Sequence, residues 1–104
     1  MPDFELLERT EVRERTQHPK QYNIVFFNDD YTHMEFVILV LCEVFEYDEP
    51  AAFIKMLQIH SSNKGIIATY TDRTEAHAKL DLVEVLKSQY NQPLVVDLEV
   101  IDNK

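Results

Sequence analysis

Tyr22-Asn23-Ile24-Val25-Phe26-Phe27 is a compact run of aromatic and β-branched residues followed at once by Asn28-Asp29-Asp30, a pattern that predicts a strand ending in a polar turn. The period then changes. Met34, Val37, Ile38, Leu41 and Phe45 recur at helical spacing, with Val40 and Val44 widening the stripe, so a helix is expected from about Met34 to Phe45. Thr32 and Glu35 form the T-x-x-E pattern of a capping box at its start. Tyr47-Asp48-Glu49-Pro50 interrupts this helix and places a proline as the first residue of a second one. Phe53, Met56 and Leu57 mark its expected apolar side, and His60 falls on that side by spacing. Ser61-Ser62-Asn63-Lys64-Gly65 ends it. Gly65 is the only glycine, and a backbone position with φ > 0 is expected there.

Ile66 to Tyr70 reads as a short strand. A third helix begins behind Asp72, with Glu75 as its early acid, and closes at Asn91-Gln92-Pro93. Ala78, Leu82, Val85 and Leu86 are its expected apolar face, flanked by Leu80 and Val83. In the final stretch, from Leu94 to Ile101, Leu94, Val96, Leu98 and Val100 alternate with Asp97 and Glu99, which predicts a strand with one wet face. The order is β-α-α-β-α-β. Three strands with three helices packed on one face make a small α+β sandwich.

The chain has 104 residues, enough for one domain. Residues 1–21 mix charges with few apolar groups and are expected to be a flexible N-terminal arm ahead of a core domain over 22–104; Phe4, Leu6 and Leu7 are the arm's only evident means of docking. A formal charge of -9, from 10 basic and 19 acidic residues, argues against a nucleic-acid partner, because phosphate binding needs a basic surface. A protein, a cation or a basic peptide suits it better. Cys42 is the single cysteine, so no intrachain disulfide can form. No signal peptide or membrane-length apolar run is visible, and the expectation is a cytoplasmic, monomeric protein without membrane attachment.

Nucleophile motifs, phosphate-binding glycine loops and zinc-type cysteine clusters are absent, which leaves little room for catalysis. What the chain offers is a set of oxygen-bearing side chains, Asn28, Asp29, Asp30 and Thr32, at a strand-to-helix junction. Met34 and Val37 lie on the first helix, and Met56, Ile59 and His60 on the second. Neighbouring helices would bring these sets around one cavity with apolar walls and a polar rim. Taken singly, each has a plainer role: a polar turn, a helix cap, a half-buried histidine, core methionines. A metal-dependent hydrolase built on Asp29, Asp30 and His60 is an alternative, though no H-x-x-x-H or paired glutamate supports it. An interaction module that retains such a scaffold without the binding chemistry is another.

Taken in order, Asn28-Asp29-Asp30-Tyr31-Thr32, Met34-Glu35-Phe36-Val37, Met56-Leu57 with His60, Lys64-Gly65, Tyr70-Thr71 and Pro93-Leu94 resemble the ClpS family, adaptors that deliver N-end-rule substrates to the Clp AAA+ protease. The likeness runs from about Pro19 to Glu99. It implies a three-stranded antiparallel sheet with three helices, no catalytic activity, no cofactor and no metal. It also implies a pocket for the first residue of substrates beginning with Leu, Phe, Tyr or Trp, the N-degrons. By position, Asn28 and His60 would hydrogen-bond the α-ammonium, with Asp29 beside them. Asp30 and Thr32 would shape the rim, and Met34, Val37, Met56, Ile59 and Leu94 the walls, Met34 acting as a gate against β-branched side chains. Glu75 and Lys79 are the candidates for docking on the N-terminal domain of a Clp unfoldase, with Arg73 as an equal possibility. Three departures stand out: His33 where the family usually has proline, Ser61 where a second histidine or an aromatic residue is common, and a segment from Thr71 to Lys79 one residue longer than usual.

Overall fold

A computed structural model of the chain describes residues 20–102. The order is β1 (Lys20–Phe27), α1 (Met34–Phe45), α2 (Glu49–Ser62), β2 (Lys64–Tyr70), α3 (Arg73–Tyr90) and β3 (Val95–Asp102). The strands form one antiparallel sheet in the order β2-β1-β3. This is the expected α+β architecture. β1 begins at Lys20, two residues inside the stretch expected to be arm; the rest of that stretch lies outside the described residues.

Ile24 and Phe26 of β1 are fully buried beneath the helices, where they meet Val40 and Leu41 of α1, Met56 and Ile59 of α2, and Val83 of α3. Phe26 also packs edge-on against Phe45, with ring centroids 5.9 Å apart. The β1–β2 register shifts between Ile24, which pairs with Ala68, and Val25, which pairs with Ile66. The bulge leaves Ile67 without a partner in that ladder, and its carbonyl accepts a hydrogen bond of 2.7 Å from the Tyr47 hydroxyl. The link between α1 and α2 is thereby fastened to the sheet.

Several helix details differ from expectation. On α1 the buried residues are Phe36, Val37, Val40, Leu41 and Val44, so the stripe is rotated and Met34 is 47% exposed. On α2 they are Ala52, Met56 and Ile59, while Phe53 and Leu57 face outward. On α3 Ala76 and Val83 are buried with Leu80 and Leu86 beside them; Leu82 and Val85, expected in the core, are about half exposed. Pro50 is the second residue of α2, behind Glu49, and Asp48 caps the helix by accepting from the Ala51 N–H at 2.9 Å. Asp72 caps α3 as expected, through the Thr74 N–H.

Gly65 does not adopt positive φ; Asn63, the C-cap of α2, does, at φ 71°. A side chain at Gly65 meets a different obstacle. An added Cβ would lie 3.0 Å from Ile59 Cγ1, so the glycine is explained by the close approach of β2 to α2.

Candidate functional site

The turn after β1 is held at both ends. Asn28 donates its N–H to the carbonyl of Asn63 at 2.8 Å, which ties the turn to the C-terminal end of α2 and so to His60. Asp29 organises the rest. Its Oδ1 accepts the N–H groups of Tyr31 and Thr32 at 2.8 and 2.7 Å, and its Oδ2 accepts the Thr32 hydroxyl at 2.7 Å. Partial burial pushes the Asp29 carboxyl upward, but the Thr32 hydroxyl, the two N–H groups and the charge of Lys87 outweigh it and hold the group below the usual carboxylate range.

This arrangement replaces the expected capping box. Thr32 gives its hydroxyl to Asp29, and His33 is the N-cap of α1, with φ -68°, ψ 137° and no side-chain cap bond. The Thr32 hydroxyl donates to a charged acceptor, a stronger bond than a neutral cap would make, and the helix starts one residue later, behind His33. His33 has close to the φ that proline fixes, which explains how it occupies a proline position. Its N–H, which proline would lack, donates to Gln92 Oε1 at 2.9 Å. The entry to α1 is thus tied to the segment following α3.

Between the turn, α1 and α2 lies a recess. Asn28, Asp29, Thr32 and His60 supply its polar edge; Met34, Val37, Met56, Ile59 and Leu94 supply its apolar surface. Val37, Met56, Ile59 and Leu94 are buried, whereas Met34 is half-exposed at the mouth. Nine of the ten expected binding residues therefore meet at one place. Asp30 does not: it is exposed and outside the recess lining. Phe27 lines the recess and was missed, because as the last residue of an apolar strand it reads as core; its direct adjacency to Asn28 is the one signal that could have found it.

A carboxylate offers about four acceptor sites, and internal bonds to Asp29 use three. One remains on Oδ2. With Asn28 Oδ1 and an imidazole nitrogen of His60, the edge can accept hydrogen bonds from a small cation with several N–H donors. The cavity volume is about 30 Å³, far below the several hundred of a drug-sized site. Entry of a bulky group requires a wall to move, and the unbranched Met34 is the exposed one.

The remaining candidates lie elsewhere. Glu75 is exposed in the first turn of α3. Lys79 donates from Nζ to the Val44 carbonyl at 2.9 Å, supplying the cation that the last turn of α1 lacks. Ser61 turns its hydroxyl back onto the carbonyl of Leu57 at 2.9 Å. No three His, Cys, Asp or Glu side chains converge as a metal site among the described residues, so Asp29, Asp30 and His60 do not make one.

Sheet order and helix placement match those of a solved ClpS structure. The family model for the ATP-dependent Clp protease adaptor protein ClpS matches residues 17–97. A ClpS adapter protein of Cronobacter sakazakii is 38% identical over 97 residues, covering 93% of this chain and 91% of that one. One from Paracidovorax citrulli is 44% identical over 81 residues, or 78% and 66% of the two chains. Among solved structures, Agrobacterium tumefaciens ClpS2 bound to L-phenylalaninamide superposes with a TM-score of 0.73 at 30% identity, covering 80% of this chain and 99% of that one. The chain belongs to the ClpS family. Among the described residues no helix is long and apolar enough to cross a membrane.

Proposed function

We propose that the protein is a non-enzymatic adaptor that captures substrates by a free amino-terminal Leu, Phe, Tyr or Trp and delivers them to a Clp AAA+ unfoldase. The observation that carries this is the convergence of Asn28, Asp29 and His60 at the edge of an apolar recess floored by Met56, Ile59 and Leu94. A free α-amino group, with pKa near ~8, is largely cationic at neutral pH and brings three donors to those acceptors. An internal peptide N–H brings one donor and the bulk of a preceding residue. The recess supplies the second half of the recognition, since burying a leucine or phenylalanine side chain contributes on the order of 1.5–3 kcal/mol.

Binding of L-phenylalaninamide by the related ClpS2 fits the same chemistry: one free amine and one aromatic side chain. Met34 acts as the gate, swinging aside for a γ-branched or aromatic side chain and clashing with bulk at Cβ. On α3, exposed Glu75 and Arg73 are available for docking on the unfoldase N-terminal domain, with Lys79 contributing what charge its bond to Val44 leaves accessible. The single cysteine suits a reducing cytoplasm, where the protein acts as a monomer.

Fluorescence titration with Leu-first and acetyl-Leu-first peptides tests the capture model. Strong preference for the free amine is expected; equal affinity refutes it. His60→Ala should weaken Leu-, Phe-, Tyr- and Trp-first peptides alike, whereas Met34→Ala should admit Ile- and Val-first peptides.

A further inference from the structure

One polar side chain joins the entry of α1 to the end of α3. Gln92 Oε1 accepts the His33 N–H at 2.9 Å, and its Nε2 donates to the Tyr90 carbonyl at 3.4 Å. The Gln92 backbone is itself fixed, because its N–H donates to the Lys87 carbonyl at 2.9 Å behind the left-handed C-cap Asn91. At the other end, the His33 carbonyl accepts from the N–H groups of Phe36 and Val37 at 3.0 and 3.3 Å. The residue that starts the helix is thus the one that Gln92 holds.

α1 lacks the cap its neighbours have. Asp48 and Asp72 cap α2 and α3 through their side chains, whereas His33 makes no such bond. The seam between the start of α1 and the end of α3 is also unfilled: His33, Glu35, Phe36, Leu39, Tyr90 and Gln92 line a second recess of about 360 Å³. Phe36 and Tyr90 meet there with ring centroids 5.7 Å apart, but Tyr90 is half-exposed. Without the bond to Gln92, the first turn of α1 has room to shift.

Both ends of this clasp stand next to walls of the binding recess. Met34 follows His33 directly, and Leu94 follows Gln92 by two residues, with Pro93 between them fixing φ. The placement of Met34 against Leu94 therefore depends on Gln92, which is outside the recess lining. The binding recess measures only about 30 Å³, so a first residue enters by displacing a wall. How that wall yields decides what is admitted. If only the Met34 side chain rotates, the backbone beneath it stays in place and bulk at the substrate Cβ still meets it; if the whole helix entry moves, that bulk finds space.

We infer that Gln92 is a positioning residue for selectivity: by holding His33 it fixes the backbone beneath Met34, confines opening to side-chain rotation, and so excludes β-branched first residues. This rests on capture of a free amino-terminal residue with Met34 as its gate.

Fluorescence anisotropy with labelled Phe-first and Ile-first peptides and the full chain reads the ratio of the two affinities. Gln92→Met keeps the length of the side chain and removes the acceptor; the ratio should fall about three- to tenfold, the range set by the net contribution of one hydrogen bond, through tighter Ile-first binding. Gln92→Glu keeps an oxygen for the His33 N–H and should retain the parent ratio. His33 has close to the φ of proline, so His33→Pro removes the donor with little change of backbone, and in that background Gln92→Met should alter the ratio no further. An unchanged ratio in Gln92→Met overturns the inference, and so does an equal fall in both affinities, which a merely structural role would give. A ratio lost equally in Gln92→Met and Gln92→Glu, or a full effect of Gln92→Met on top of His33→Pro, also overturns it. Failure of the underlying reading is seen separately, as equal binding of Phe-first and acetyl-Phe-first peptides by the parent protein or as a ratio that Met34→Ala leaves unchanged.

Discussion

Removing Asp29 in two ways separates its charge from its acceptor geometry. Three hydrogen bonds end on its carboxylate, two from backbone N–H groups and one from the Thr32 hydroxyl. A bond to a charged group contributes about 1.5–3 kcal/mol when buried, but this turn is only partly buried and water recovers much of each. Asp29→Ala is therefore expected to cost about 1–2 kcal/mol in total, lowering the thermal midpoint by roughly 5–15 °C for a domain of this size. Asp29→Asn keeps an oxygen for the Tyr31 and Thr32 N–H groups, and the Thr32 hydroxyl can rotate to accept from the new amide. Its cost in stability should stay below about 1 kcal/mol. Affinity for a Leu-first peptide should still fall by about tenfold, because the ammonium loses its only carboxylate partner.

The pH dependence carries an independent sign. The Asp29 carboxyl is held below its ordinary range in the folded state, so its stabilisation is complete above the unfolded value near ~3.9 and is lost as pH falls through the folded one. The Asn variant has no such group. Its deficit against the parent protein should close on acidification, as measured by urea midpoints across the acid range. Equal destabilisation by Ala and Asn at neutral pH would refute the claim that acceptor geometry holds the turn.

Lys79→Ala and Lys79→Met should each lower stability by about 0.5–1.5 kcal/mol in urea titration, since both leave the Val44 carbonyl without its donor; a normal Met variant would mean that only the aliphatic stem matters. Gly65→Ala forces Ile59 to shift and should cost about 1 kcal/mol, with altered Leu-first peptide affinity because Ile59 lines the first recess. Tyr47→Phe removes the bond to the Ile67 carbonyl, again about 0.5–1.5 kcal/mol. Burial pushes the Tyr47 hydroxyl up, so the parent protein keeps this contribution below the unfolded value near ~10 and loses it as pH rises through the folded one; comparing urea midpoints of the two proteins on either side shows whether their gap closes.

The strands and helices were legible because their periods differ and their punctuation is strong: Pro50, Asp72 and Asn91-Gln92-Pro93 lie at or within two residues of element ends. Helix faces were less so. α3 carries two apolar rows, one through Ala78, Leu82 and Val85 and one through Ala76, Leu80 and Val83, and periodicity cannot say which meets the sheet. On α2 the small Ala52 is buried and Phe53 is not, a choice made by helix packing rather than by hydrophobicity. The recess was found through motif order, since nothing local joins Leu94 to Asn28. The Asp29–Thr32 bond was hidden behind a capping pattern that fits equally well on paper, and Gly65 was misassigned because a clash with Ile59 leaves no mark in the neighbouring sequence.

The sheet order has a consequence for how the molecule comes into being. β1 is the central strand, yet one of its two neighbours is β3, with Lys20 paired to Asp102 and Phe27 to Val95. During synthesis β1 must wait, one edge uncovered, until every other element has left the ribosome. Loop closure over so long a separation slows folding, and an apolar strand held open meanwhile is exposed to other chains. Leu94 arrives with β3, so the binding recess also gains its last wall at that moment. A truncated nascent chain would therefore be both unfinished and unable to capture substrate, which couples adaptor activity to completion of the fold.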